Sequence, residues 1–139
     1  MLKYLAPLFV IGIVVQIFLA GEGIFGLKNV KKLDDAKTLD PHRGLGFFLT
    51  IPGALLLLIV ALLAWSPNRK VRIISLVLPF DLFVQSVLAS TGRWAGGLHP
   101  VNGFLLLGLF GWLTMLLWRT APAEATAPAV DAAPSLADA

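Results

Sequence analysis

Four apolar stretches, each long enough to cross a lipid bilayer as a helix, constrain this chain more than any other feature. They cover about residues 4–20, 44–65, 71–89 and 101–118. The bilayer core offers no water to backbone groups, so a spanning segment is expected to be helical. Strands of a membrane barrel would alternate polar and apolar side chains, whereas ALLLLIVALLAW does not. The sequence therefore predicts an all-α protein, a four-helix transmembrane bundle.

The composition agrees with this prediction. Hydrophobic residues make up 58% of the 139 residues and charged residues only 14%, with a mean hydropathy of +0.85. The net charge is +3, and the basic residues lie at the ends of the apolar stretches. That placement suits lipid headgroups rather than nucleic acid. The chain has no cysteine, which excludes disulfides and thiolate sites.

The chain divides into a transmembrane domain, residues 1–119, and a C-terminal segment, residues 120–139. Alanine, proline and small polar residues dominate the second part, and this composition is typical of a disordered tail. The first apolar stretch also admits interpretation as a signal peptide, since Lys3 gives it a charged start. Its cleavage pattern near FLAGEG is poor, so we expect a retained first helix.

The connection SPNRKVR, residues 66–72, carries three positive charges and is typical of a cytoplasmic loop. Lys3 and Arg119 would share that side, which predicts a multi-pass protein of the plasma (inner) membrane with both termini in the cytoplasm. The connection over residues 21–41 would then face outward. Within it, LKNVKKLDDAKTLD is compatible with an amphipathic surface helix or with a solvated charged loop.

A short polar motif occurs twice. VQIFLAGEG begins at Val15 and VQSVLASTG begins at Val84, and five of their nine positions agree. The chain has only two glutamines, Gln16 and Gln85, and each belongs to one copy of this motif.

A second motif follows each copy of the first. HRGLGFFL begins at His42 and HPVNGFLL at His99, and both read H-x-x-x-G-F-x-L. These are the only histidines of the chain. Matching places for such rare residues predict two tandem helical-hairpin repeats, residues 4–65 and 71–118.

The topology brings the four rare residues together. Each glutamine precedes the outer end of its helix, and each histidine begins the helix that returns, so all four are expected in one leaflet. His42 and His99 would face each other across the bundle axis, and helix N-termini would favour their neutral, metal-ligating form. We therefore expect one bis-histidine haem b near the outer leaflet, with possible electron transfer. Gln16 and Gln85 would orient the ligating rings.

Further residues extend this predicted haem site. Gly46 and Gly103 lie one turn beyond the histidines and would leave clearance for a flat macrocycle. Arg43 and Arg93 lie at the same surface and would bind haem propionates.

Two other interpretations remain open. Histidine and glutamine near helix ends also serve as interhelical hydrogen-bond partners, which would suit a non-catalytic accessory subunit. Asp81, near the middle of the third stretch, is costly in lipid unless it is protonated or paired. With Gln16 and Gln85 it would form a polar pocket for a proton or small-solute carrier. Alternatively, a protonated Asp81 would donate to a carbonyl that a proline kink frees.

The motifs V-Q-x-x-L-A, H-x-x-x-G and L-H-P-V-N-G resemble a family of small four-helix bacterial integral membrane proteins of unknown function, over about residues 4–119. The H-x-x-x-G element is also similar to that of haem-carrying four-helix bundles, the membrane cytochromes b and haem A synthase. The resemblance implies the fold, a haem b cofactor and a respiratory or other membrane-complex partner. It brings no established activity and leaves open whether the chain is an enzyme. Two histidines provide for one such haem, not two.

Overall fold

The computed structural model of the chain describes residues 1–27 and 36–119, and the described part contains helices and no strand. The five α-helices are α1 (Leu2–Phe25), α2 (Asp40–Phe48), α3 (Ala54–Leu63), α4 (Arg69–Ser90) and α5 (Arg93–Arg119). A 3-10 turn, Lys37–Leu39, leads into α2, and a π-helical segment, Leu49–Gly53, joins α2 to α3.

Four helical spans are long and apolar enough to cross a membrane, and the second is the continuous run Lys37–Leu63. This confirms the predicted all-α fold with four candidate spans, and it is consistent with a multi-pass membrane protein. Most of the amphipathic segment predicted before α2 and the whole C-terminal tail lie outside the described residues.

The helix boundaries differ from prediction at the start of the fourth span. We expected this span to begin near residue 101, but α5 begins at Arg93, so His99 is already the seventh residue of its helix. The stretch RWAGGLHP is weakly apolar and contains two glycines and a proline, so it does not form a continuous apolar run. The expectation that each histidine begins its helix holds for His42 alone, because that residue lies in the first turn of α2.

The four spans pack in a closed ring. Helix α5 packs along both α1 and α4, α3 packs along α4, and α2 packs along α1. The second span, which contains α2 and α3, is therefore diagonally opposite the fourth span, α5. This arrangement places the two histidine-bearing spans across the bundle axis from each other.

The core repeats at helical spacing along each span. In α1 the buried residues Leu2, Ala6, Phe9 and Ile13 recur every three or four positions and form one stripe. The rings of Phe9 and Phe110 stack with their centroids 4.6 Å apart and join α1 to α5 in the bundle interior. The opposite faces carry large exposed apolar side chains, which is the pattern expected of a surface in contact with lipid.

The π segment divides the second span into two parts with different neighbours. Before it, α2 packs against α1; after it, α3 packs mainly against α4. Pro52 lies inside the π segment and has no backbone N–H to donate. Hydrogen bonding to the fifth residue instead of the fourth allows a carbonyl to bypass such a position. Thr50 is buried and donates its hydroxyl to the carbonyl of Gly46 at 2.8 Å.

The predicted grouping of basic residues at one end of the bundle is partly visible in two ring contacts. The Lys3 ammonium lies 4.2 Å from the centroid of the Trp118 ring, and the Arg72 guanidinium lies 4.9 Å from that of Trp65. Both pairs lie at the end opposite the histidines, which we call the basic end. The end that carries His42 and His99 is called the histidine end.

Candidate functional site

At the histidine end, α1 and α2 are joined by a reciprocal pair of hydrogen bonds. The side-chain Nε2 of Gln16 donates to the backbone carbonyl of His42 at 2.7 Å. The backbone carbonyl of Gln16 lies 3.0 Å from Nδ1 of His42. Each residue thus uses one backbone group and one side-chain group toward the other, which fixes the His42 ring against α1.

The same arrangement joins α4 to α5. Nε2 of Gln85 donates to the carbonyl of His99 at 3.0 Å, and the carbonyl of Gln85 lies 3.0 Å from Nδ1 of His99. Nε2 of Gln85 also lies 3.5 Å from Nε2 of His99. The two pairs of residues that the sequence motifs singled out are therefore brought together, each within its own helix pair.

These contacts determine the tautomer of both neutral imidazoles. A backbone carbonyl only accepts hydrogen bonds, so Nδ1 must carry the proton in each ring. The Nε2 atom of a neutral ring then holds a lone pair and is the atom that would ligate a metal. In His99 this atom lies 3.5 Å from the amide nitrogen of Gln85. The expected role of Gln16 and Gln85 in orienting the rings is thus carried by their backbone carbonyls.

The two rings meet at the bundle axis. The centroids of His42 and His99 are 6.2 Å apart, and the ring planes are inclined at 83°. Because the histidines come from diagonally opposite spans, this contact closes the histidine end between α1 and α4.

Gly46 and Gly103 leave room for the side-chain amides of the glutamines in this structure. A Cβ at Gly46 would lie 2.7 Å from Nε2 of Gln16, and a Cβ at Gly103 would lie 3.3 Å from Nε2 of Gln85. Each glycine therefore provides the space in which a glutamine amide reaches the carbonyl of the histidine one turn away. The clearance expected beside these glycines is filled by the amide groups.

The second half contains a polar residue that the sequence analysis did not assign to the site. Nδ2 of Asn102 donates to Oε1 of Gln85 at 3.0 Å. Asn102 lies three residues after His99, and the corresponding position after His42 is Leu45. As a result, Oε1 of Gln16 is buried without a hydrogen-bond partner among the described residues. An asparagine in an otherwise apolar run was the signal that could have identified this residue.

The two arginines proposed for propionates have different surroundings. Arg43 forms an ion pair with Asp40 at 3.0 Å and donates to the carbonyl of Ala36 at 3.2 Å. Arg93 is exposed at the first residue of α5.

Asp81 is near the middle of α4 and half-buried. It forms no hydrogen bond or ion pair with any residue in the described ranges, including the carbonyls freed by proline. Asp81 makes no hydrogen bond to Gln85, whose side-chain atoms bond to His99 and Asn102.

Two grooves on the outside of the bundle have no histidine among their lining residues. One, of about 420 Å³, lies between the π segment with α3 and α4, and its walls include Thr50, Pro79 and Phe83. The other, of about 220 Å³, lies between α4 and α5 beside Leu88 and Asn102. Within residues 1–27 and 36–119, no three histidine, cysteine or acidic side chains are grouped to hold a metal ion.

The chain was compared with protein families, curated proteins and solved structures. No protein-family model, curated protein or solved structure matches the chain.

Proposed function

We propose that the chain is a small b-type haem protein, or a haem-binding subunit, of the plasma (inner) membrane. One haem would be ligated by His42 and His99 near the outer leaflet. The observation that carries the proposal is the meeting of these two imidazoles from diagonally opposite spans, with Nδ1 of each ring directed at a backbone carbonyl.

The short separation of the two rings supports the proposal. The measured separation of the His42 and His99 centroids is 6.2 Å. The donor set therefore supports the proposal, whereas the glycine clearance does not, since the glutamine amides fill it.

In this proposal, residues of the chain position the two ligating imidazole rings. The carbonyls of Gln16 and Gln85 hold the protonated Nδ1 atoms and keep Nε2 available, as partners of metal-ligating histidines do. A bound haem would supply one-electron redox chemistry. With a single haem at one leaflet, electrons would be exchanged with a partner at that surface, which favours a subunit of a respiratory or other membrane complex.

Absorption spectroscopy tests the proposal. The protein is purified in detergent from cells supplied with haem, and oxidised and reduced spectra are recorded. We expect a Soret band and sharp reduced α and β bands that disappear in His42→Ala and in His99→Ala. Gly44→Ala is the matched control, because a Cβ at Gly44 meets nothing within 4 Å. A colourless wild-type protein, or haem retained by both histidine variants, would contradict the proposal.

A second candidate function is a non-catalytic accessory subunit. The observation in its favour is that the reciprocal hydrogen bonds already employ the side-chain amides of both glutamines and Nδ1 of both histidines. Under this proposal the wild-type protein is colourless, and His42→Ala loosens the α1–α2 contact. The carrier version predicts a proton flux into vesicles that Asp81→Asn abolishes and His42→Ala leaves unchanged.

We also infer that the bundle arose from two tandem hairpin repeats, with the basic end in the cytoplasm. The support for duplication is that the same exchange of hydrogen bonds between glutamine and histidine occurs twice, at matching places in the sequence. The support for orientation is the loop SPNRKVR at the basic end. Labelling of a cysteine introduced at Ser66 by an impermeant reagent only after lysis would agree with this orientation.

A further inference from the structure

Asp81 lies at mid-depth in the third span. It is 12 residues from Arg69 and nine from Ser90 in the helix Arg69–Ser90. At 1.5 Å per residue these separations are roughly 18 and 13 Å, so the carboxyl group lies near the centre of a hydrocarbon core about 30 Å thick.

The edge of α4 that carries Asp81 is open to the surroundings of the bundle. Val77 and Val84, four residues before and three residues after Asp81, share this edge and are 50% and 45% exposed. Leu88, two turns further, lines the groove between α4 and α5. Asp81 is itself half-buried and has no partner among the described residues. A carboxyl group on such an apolar surface is costly in lipid unless it is protonated or paired.

The four described spans do not offer a cation at this depth. Every lysine and arginine of the described spans lies within six positions of a span end. Arg72, the basic residue of α4 that is nearest in sequence, is nine residues from Asp81, which is about 13 Å along the helix. As a charged group, a second copy would bring only its own Asp81 to the same depth, and two ionised carboxylates repel.

We propose that the edge formed by Val77, Asp81, Val84 and Leu88 docks a transmembrane helix of a different protein, and that this helix carries an arginine or lysine near its centre. Pairing would remove an unpaired carboxyl group and an unpaired cation from lipid at once, and this complementarity would select the partner. The two valines provide a flat apolar surface on either side of the pair. The proposal goes beyond haem binding and does not depend on it.

The test uses the full chain in phosphatidylcholine vesicles with synthetic helices of leucine and alanine. One peptide has a central arginine, a second has leucine there, and a third has glutamate. Energy transfer is measured from labelled peptide to an acceptor at Trp94→Cys, an exposed position in a chain without other cysteines. We expect the arginine peptide to associate at least ten-fold more tightly than the leucine peptide, and the glutamate peptide to show no such preference.

The variants Asp81→Leu and Asp81→Asn should reduce association of the arginine peptide to the level of the leucine peptide or close to it. Val84→Leu, on the same edge, is the control and should leave the preference intact. Asp81→Asn keeps the size of the side chain, so its loss of binding cannot be assigned to misfolding. Equal association of arginine and leucine peptides would overturn the proposal. So would energy transfer between two labelled copies of the chain that Asp81→Leu abolishes, because the occupant would then be a second copy.

Discussion

Gln16 and His42 each give one backbone group and one side-chain group to the other, at 2.7 and 3.0 Å. Gln85 and His99 repeat this exchange in the other helix pair, at 3.0 and 3.0 Å. The two exchanges differ in their surroundings, because Asn102 bonds to Gln85 in the second, whereas no residue within 1–27 and 36–119 bonds to Oε1 of Gln16 in the first. That difference allows the halves of the bundle to be tested against each other.

We expect Gln85→Leu to destabilise the bundle more than Gln16→Leu. Loss of Gln85 removes one hydrogen bond to the carbonyl of His99 and takes the acceptor from the amide of Asn102, whereas loss of Gln16 also removes a buried oxygen without a described partner. Interhelical hydrogen bonds in membranes contribute about 0.6 to 1.7 kcal/mol each, so Gln85→Leu should cost about 1–3 kcal/mol and Gln16→Leu about 1 kcal/mol. Reversible unfolding in detergent micelles measures both. Equal costs would show that the Asn102 contact contributes nothing.

Gly46→Ala should destabilise the protein through one identified collision. The added Cβ would lie 2.7 Å from Nε2 of Gln16, so the amide must leave the carbonyl of His42. We expect a loss of about 1–3 kcal/mol, the usual cost of overpacking, and a much smaller loss in a Gln16→Ala background. Gly44→Ala in the same helix meets nothing within 4 Å and should be neutral or slightly stabilising. A loss that persists without Gln16 would refute this explanation.

A substitution at Leu45 can supply the donor that the first half lacks. Leu45 and Asn102 occupy the same position relative to His42 and His99, so Leu45→Asn should bring an amide to Oε1 of Gln16. Asparagine in lipid is costly by itself, and the informative quantity is therefore the coupling in a double-mutant cycle with Gln16→Leu. We expect a favourable coupling free energy of about 0.5–1.5 kcal/mol. A coupling of zero would show that the two half-sites are not equivalent in geometry.

Two phenylalanines of α5, one buried and one exposed, distinguish the contribution of core packing to stability from that of hydrophobicity alone. Phe110 is fully buried and stacks on Phe9, whereas Phe104 is 62% exposed toward the surroundings of the bundle. Phe110→Ala should cost about 3 kcal/mol, because it leaves a cavity and removes the stacked contact. Phe104→Ala should cost far less in unfolding free energy, since lipid or detergent fills the space. Similar losses for the two variants would contradict the proposed core.

The sequence predicted the spans well because lipid imposes a simple requirement on length and apolar content. The stretch ALLLLIVALLAW has few alternatives to a helix in lipid. The start of α5 was missed because Gly96, Gly97 and Pro100 interrupt the apolar run without ending the helix. The π segment was missed as well, since only the packing of α2 and α3 against different neighbours favours it over a regular helix.

The sequence motifs selected four residues that lie in contact in the structure, but they did not predict the hydrogen bonds between them. The rarity of histidine and glutamine identified His42, His99, Gln16 and Gln85, and the structure joins them as two bonded pairs. Repetition could not reveal Asn102, because its counterpart is a leucine.

The glycines that end the two copies of the first motif, Gly23 and Gly92, also have different roles. A Cβ at Gly23 would come too close to the side chain of Leu39, whereas Gly92 adopts a positive φ of 92° between α4 and α5.

The π segment Leu49–Gly53 separates α2, which carries His42, from α3, which packs against α4. Deletion of a single residue there would rotate α2 relative to α3 by about 100°, the angle per residue of an α-helix. The imidazole of His42 would move away from the bundle axis, while α3 would keep its packing against α4. The alignment of the two halves is therefore a matter of chain length as much as of side-chain identity. Homologues that bind the same ligand should conserve the residue count between His42 and Ala54 more strictly than the residues themselves.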